Sequence, residues 1–248
     1  MGYLSDSLFS PTNRRRTNRD RFSLLKIIGV YALVSAMAGT AHGEMPAYLH
    51  SAIAGFVPEV PAKWSYSIST IQDGRQTTER FDPSKPPAEQ WQLLQMRDRN
   101  PTPDEISKYF RYKASQIPGA IKATFHKDDI EPGTLKLVRE NAEHAVFTCT
   151  FREVSTQGDK MLGHLGLLLT VNKRLGFVER YRMTLDAAYS PVFSVKMNEL
   201  IVTMDFTPPD EAHPSLPSRS SSHFAGRIFL ISTEENITYR YFDFTRVH

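Results

Sequence analysis

Trp64-Ser65-Tyr66-Ser67-Ile68-Ser69-Thr70 alternates large or β-branched side chains with serine at every second residue. Period two puts Trp64, Tyr66, Ile68 and Thr70 on one face of an extended chain and the serines on the other, as a strand with one buried face requires. Asp73-Gly74 follows, a dipeptide that accepts the positive φ of a tight hairpin turn, so 76–81 reads as the returning strand. A polar, proline-rich loop over 82–90 leads to a third strand at 91–96.

Downstream, residues 134–140, 145–154, 162–171, 177–185, 192–206, 224–233 and 237–244 are strand candidates rich in β-branched and aromatic residues. The links 141–144, 157–159 and 172–176 carry turn chemistry and are too short for helical crossovers, which predicts antiparallel neighbours. Residues 208–222, with their prolines and serines, form the longest predicted loop and the candidate mobile edge or lid. One amphipathic helix interrupts the strands. Thr102 is its predicted N-cap, Pro103 suits the first helical position and Glu105 completes a capping box. Ile106, Tyr109, Phe110, Ala114 and Ile117 then share a face before Pro118-Gly119 ends it.

Upstream, Arg14, Arg15, Arg16, Arg19 and Arg21 precede an apolar run over 27–38, and Ala41-His42-Gly43 offers a small-x-small cleavage site before Glu44. Ala36-Met37-Ala38 is an alternative site. The run falls short of the roughly 20 apolar residues that span a bilayer, so the expectation is a cleaved export signal over 1–43 and no stable membrane span afterwards. Residues 44–248 are then expected to form a single β-rich domain in the periplasm. No cysteine follows the apolar run as an acylation site, so this chain is not expected to carry a lipid anchor itself.

Residues 1–43 hold six of the 30 Lys and Arg and two of the 27 Asp and Glu, which leaves 24 against 25 in the remainder. The basic character belongs to the export segment, and a nucleic-acid partner is not expected. The one cysteine, Cys149, cannot staple the fold internally. It shares a face of an alternating run with Phe147 and Phe151, which places it among core residues rather than reactive thiols.

Catalytic signatures are missing: there is no H-E-x-x-H, C-x-x-C, G-x-S-x-G or phosphate-binding glycine loop. His126, His144, His164, His213 and His223 show no metal-pair spacing. Asp128, Asp129 and Glu131, and also Asp210 with Glu211, read as charged turns without an EF-hand pattern. No metal and no cofactor are expected. The aromatic residues are more numerous than a minimal two-layer core needs. Trp64, Tyr66, Ile68, Trp91, Phe110, Phe147, Phe151 and Tyr241 are the candidate apolar lining of a ligand site, with ordinary core packing as the alternative.

The K-W-S-Y-S-I strand, the F-D-P-S-K-P-P-A-E-Q-W-Q-L-L run at 81–94, N-P-T-P-D-E-I at 100–106 and the closing G-R-I-F-L-I…N-I-T-Y-R-Y-F-D-F resemble uncharacterised exported proteins of Gram-negative bacteria. Those proteins are similar in turn to the periplasmic lipoprotein carrier and lipoprotein-sorting family. The resemblance implies an incomplete half-barrel: a mainly β fold in which a curved antiparallel sheet has its concave side plugged by a helix. It also implies non-enzymatic binding of a lipid, a lipoprotein acyl chain or a similar hydrophobic ligand, stabilised by about 0.8 kcal/mol per buried CH₂. A cell-envelope scaffold with a filled core and an envelope protein partner is the second reading, and a hydrolase with a dispersed site the third.

Overall fold

The alternation at residue 64 becomes β1 (Trp64–Gln72) in the computed structural model, which describes residues 45–115, 125–152, 161–229 and 231–247. Those residues belong to one compact unit, Glu44–His248; the expected export signal lies outside them. Asp73 (φ 49°) and Gly74 (φ 71°) make the hairpin turn into β2 (Arg75–Phe81), and β3 (Trp91–Met96) follows. The later strands are β4 (Lys136–Glu140), β5 (His144–Cys149), β6 (Leu165–Asn172), β7 (Phe177–Leu185), β8 (Tyr189–Val192), β9 (Val195–Phe206), β10 (Pro217–Ile228) and β11 (Ile231–Arg246). All join one antiparallel sheet in the order β3-β2-β1-β11-β10-β9-β7-β6-β5-β4, with β8 pairing β9. The sheet is curved and stays open. Its ends are β3 and β4.

Two helices accompany it, α1 (Ala47–Gly55) and α2 (Pro103–Ser115). Sequence pattern finds only the second. Nine residues are too few to signal a stable isolated helix, and α1 holds because it packs on β6 and β7. Leu49, Ala52 and the capping Phe56 enter the main core, whose aromatic centre is Phe56, Phe125, Tyr181 and Phe206. Gly176, at φ 61° in the β6–β7 turn, lies against α1: an added Cβ would sit 3.3 Å from the Ser51 Cβ. Residues Leu165, Leu167, Leu169 and Val171 of β6 alternate inward in strict period two.

One register row shows how the face changes across the sheet. Phe147, Leu169, Tyr181 and Met204 are successive partners on β5, β6, β7 and β9, and the row continues through Ser220, Tyr239, Thr70 and Thr77 on β10, β11, β1 and β2. The first half is bulky and lies in the core with α1; the second is smaller and more polar.

Several boundaries differ from the sequence expectation. Residues 224–233 are not one strand, because the chain reverses between Ile228 and Ile231, with Phe229 at φ 55°. The polar Glu234, Glu235 and Asn236, which look like a turn, pair instead with Ala225, Phe224 and His223. Residues 192–206 are split by a tight turn at Phe193 and Ser194 into β8 and β9. The loop expected over 208–222 is shorter, because Ser220, Ser221 and Ser222 pair on both sides within β10. What remains folds back on itself: Thr207 N donates to Leu216 O, and Ala212 N and His213 N both donate to the Asp210 carboxylate. The serine face of β1 is not solvated at its start, where Ser65 is 3% and Ser67 1% exposed. Ser65 Oγ donates to Thr245 O and accepts from Arg80. Beside it β11 carries an extra residue, and Asp243 absorbs the bulge at φ 54°.

Candidate functional site

The capping box at the start of α2 forms as its sequence requires. Thr102 N donates to Glu105 Oε2 at 2.8 Å, Glu105 N donates to Thr102 Oγ1 at 3.3 Å, and Arg99 closes the turn with a 2.7 Å contact to Glu105. The Arg99 hydrogen bond and the Thr102 N–H hold the Glu105 carboxyl at about 2. The helix does not enter the main core. Phe110, expected on its buried face, is 41% exposed and meets the Tyr109 ring in a T-shaped contact at 5.6 Å. Ile117 lies outside the described residues.

The polar side chains of α2 decide its position, through one carboxylate on the sheet. Glu79 on β2 is the register partner of Ile68, which in turn pairs Tyr241, so Glu79 shares a face with residues packed on the core. Tyr109 Oη donates to Glu79 at 2.6 Å, and Lys113 Nζ lies 2.9 Å from the same carboxylate. Lys113 Nζ also sits 4.0 Å above the Trp91 ring, a cation–π contact. Burial, then the Glu79 hydrogen bond and charge, push the Tyr109 hydroxyl far above its ordinary range.

Next to this ionic clamp lies an aromatic cluster with Tyr66 at its hub. Its ring centroid is 5.3 Å from Phe81, 6.2 Å from Trp91, 6.1 Å from Tyr241 and 6.0 Å from Phe244. Phe81 and Trp91 lie 5.0 Å apart. Strand pairing brings these rings together from four strands. All five remain half-buried. Burial first, then the charges of Glu79 and Glu59, push the Tyr66 hydroxyl up to about 12, and burial likewise raises Tyr241.

Of the eight residues expected to line a site, Tyr66, Trp91 and Tyr241 meet here, with Ile68 buried beside them in register. Phe147 and Phe151 belong to the packed core instead, against Tyr48 and Phe125 respectively. Trp64 is buried against the His213 ring at 5.6 Å, under the 207–216 turn. Phe81 and Phe244 belong to the cluster but are missing from the expected lining. For Phe81 the signal is the register, since Asp73-Gly74 fixes the hairpin that pairs it with Tyr66 and β3 then sets Trp91 opposite it, whereas Phe244 is placed by the bulge in β11.

Two clefts lie elsewhere. One of about 350 Å³ is bordered by Arg139, Glu140, Asn141, His144, Val146, Thr170 and Glu179, and one of about 450 Å³ by Ile71, Gly74, Arg75, Gln76, Arg97 and Asp98. Neither touches any of the eight residues. His144 Nε2 lies 2.8 Å from Glu179 in the first, and both side chains are about a third or more exposed. Three further histidines serve separate local roles: His164 stacks on Tyr189 at 3.9 Å, His213 meets Asp210 at 3.0 Å, and His223 meets Asn236 at 2.9 Å. Within the first acidic cluster, Asp129 accepts from His126 N in its own turn and Glu131 faces Arg152. Among the described residues no group of three His, Cys, Asp or Glu is placed to hold a metal, and no helix is long and apolar enough to cross a membrane. Cys149 is 2% exposed, and burial pushes its thiol up to about 12.

No protein-family model, curated protein or solved structure matches this chain.

Proposed function

We propose that the chain is an exported, periplasmic binding protein whose Tyr66–Phe81–Trp91–Tyr241–Phe244 face takes up a hydrophobic ligand, a lipid or lipoprotein acyl chain. The observation that carries this reading is the uneven filling of the sheet. Under α1 the rings are packed away, whereas over β11, β1, β2 and β3 five rings stay half-buried beside a helix held by the Glu79–Lys113–Tyr109 clamp. An acyl chain laid across those rings would remove further apolar surface from water, at about 25 cal/mol per Å². The arginine-rich and apolar segment at 1–43 supports export.

The chain has two tryptophans, of which Trp91 meets the Tyr66 ring and Trp64 meets His213 instead. Titration with a brominated fatty acid should quench wild type and Trp64→Phe equally, while Trp91→Phe loses most of the quenching. Equal residual quenching in both variants, or none in wild type, would count against the site. A second reading, an envelope scaffold with a protein partner, is favoured by one observation: neither cleft touches the aromatic face. In that case the same titration leaves fluorescence unchanged and a partner protects Trp91 from iodide.

A further inference from the structure

Two hairpin turns meet at one end of the sheet and expose their largest side chains. Phe193, between β8 and β9, is 108% exposed, and Phe229, between β10 and β11, is 75% exposed. They are tied together: Phe229 N donates to Ser194 O at 2.6 Å, and Ile228 pairs with both Val195 and Ile231. Ile231 at 71% and Val192 at 56% extend the apolar surface. Side chains this exposed gain nothing for the fold, since burying apolar surface is what stabilises it.

The tip also projects. β1 stops pairing β11 at Gln72, opposite Ile237, so residues 231–236 run beyond it by about 20 Å at ~3.4 Å per residue. On the other side, β7 pairs β9 only as far as Thr184 opposite Ile201. The charge at the very end of the tip has one sign, and the acidic Glu199 and Glu234, both register partners of Ala225, lie further back. Residues 187–198 and 224–233 contain Lys196 and Arg227 and no Asp or Glu. The two cations are register partners directly behind the apolar turns, and both are exposed.

We propose that this double-hairpin tip docks on an anionic lipid bilayer, Phe193 and Phe229 entering the interface while Lys196 and Arg227 meet lipid phosphates. A lipid surface fits better than a protein groove for two reasons. The feature is convex, and apolar turns backed by cations match the layering of acyl, headgroup and water. The inference rests on the tip alone and is independent of ligand uptake at Tyr66 and Trp91.

The test uses the full chain with a spin label at Phe193→Cys and, as a control at the far end of the sheet, at Glu89→Cys, the buried Cys149 remaining unlabelled. Vesicles of phosphatidylglycerol with phosphatidylethanolamine are the probe, with phosphatidylcholine vesicles for comparison. The expected result is a label at 193 that becomes shielded from an aqueous nickel chelate and accessible to oxygen, while the label at 89 stays aqueous. Adding Phe229→Ser should reduce the inserted fraction about tenfold, and Lys196→Glu with Arg227→Glu should abolish the preference for anionic vesicles. These sites are exposed, so circular dichroism should report an unchanged fold. A label at 193 that stays aqueous on vesicle-bound protein overturns the proposal. So does immobilisation of that label without vesicles, which would mark a second copy pairing along the open edge of β11. Brominated-acyl quenching of Trp91 is unaffected by either outcome, so failure of the tip and failure of the ligand face are distinguishable.

Discussion

Tyr66 is the residue on which the aromatic face turns, and its chemistry is measurable. Burial and the nearby carboxylates raise its hydroxyl from an ordinary 10 to about 12, and Tyr109, Tyr181 and Tyr241 shift in the same direction. A phenol whose folded value is raised favours the folded state while it is neutral. That contribution is complete below pH 10 and is lost as pH climbs from 10 through 12. Absorbance at 295 nm should therefore show a group of tyrosines that ionises only above about pH 11.5, coincident with loss of the near-ultraviolet dichroism. A single transition near pH 10 with the fold intact would contradict the packing described for Tyr66. The alternation at 64–70 shows Tyr66 and Ile68 to share a face, but not that Tyr66 would meet Phe244, because the Asp243 bulge sets that register.

At the level of elements, the tip hairpins are aimed by a second irregularity. Between Ala225 and Gly226 the β9–β10 register shifts by one residue, and Gly226 lies so close to β9 that an added Cβ would stand 2.3 Å from Lys196 O. The obstacle is backbone rather than a flexible side chain. Gly226→Ala should cost about 1–3 kcal/mol in urea unfolding and loosen the exchange protection of residues 224–228 more than that of β6; wild-type stability would show that the strands separate freely there. Elements were legible unevenly. Asp73-Gly74 and the Thr102–Glu105 box are local chemistry and form as read. The reversal at Phe229 and the run of Glu234, Glu235 and Asn236 within β11 were not legible: Phe229 is held by Ser194 of the neighbouring turn, and pairing with β10 overrides the turn propensity of the polar run.

For the whole molecule, stability is concentrated where α1 closes the core. Phe56 touches Phe125, Tyr181 and Phe206 with ring centroids at 6.0, 6.3 and 5.5 Å and is 3% exposed. Phe56→Ala should cost about 3–5 kcal/mol, a large share of the roughly 5–15 kcal/mol that holds a domain; equilibrium denaturation measures it, and a loss below about 1 kcal/mol would mean the core does not depend on α1. The distribution of pattern along the chain foretells this only in part. Strict alternation in β1 and β6, turn dipeptides and short links determine by themselves an antiparallel, mainly β chain with Cys149 buried, because period and turn geometry are properties of neighbouring residues. Tertiary structure alone decided that a nine-residue helix fills the core, that Phe147 and Phe151 are packed while Tyr66 and Trp91 stay half-open, and that Phe193 and Phe229 share one projecting tip. Those outcomes depend on register between strands distant in sequence, and no local pattern encodes which residues will stand opposite one another.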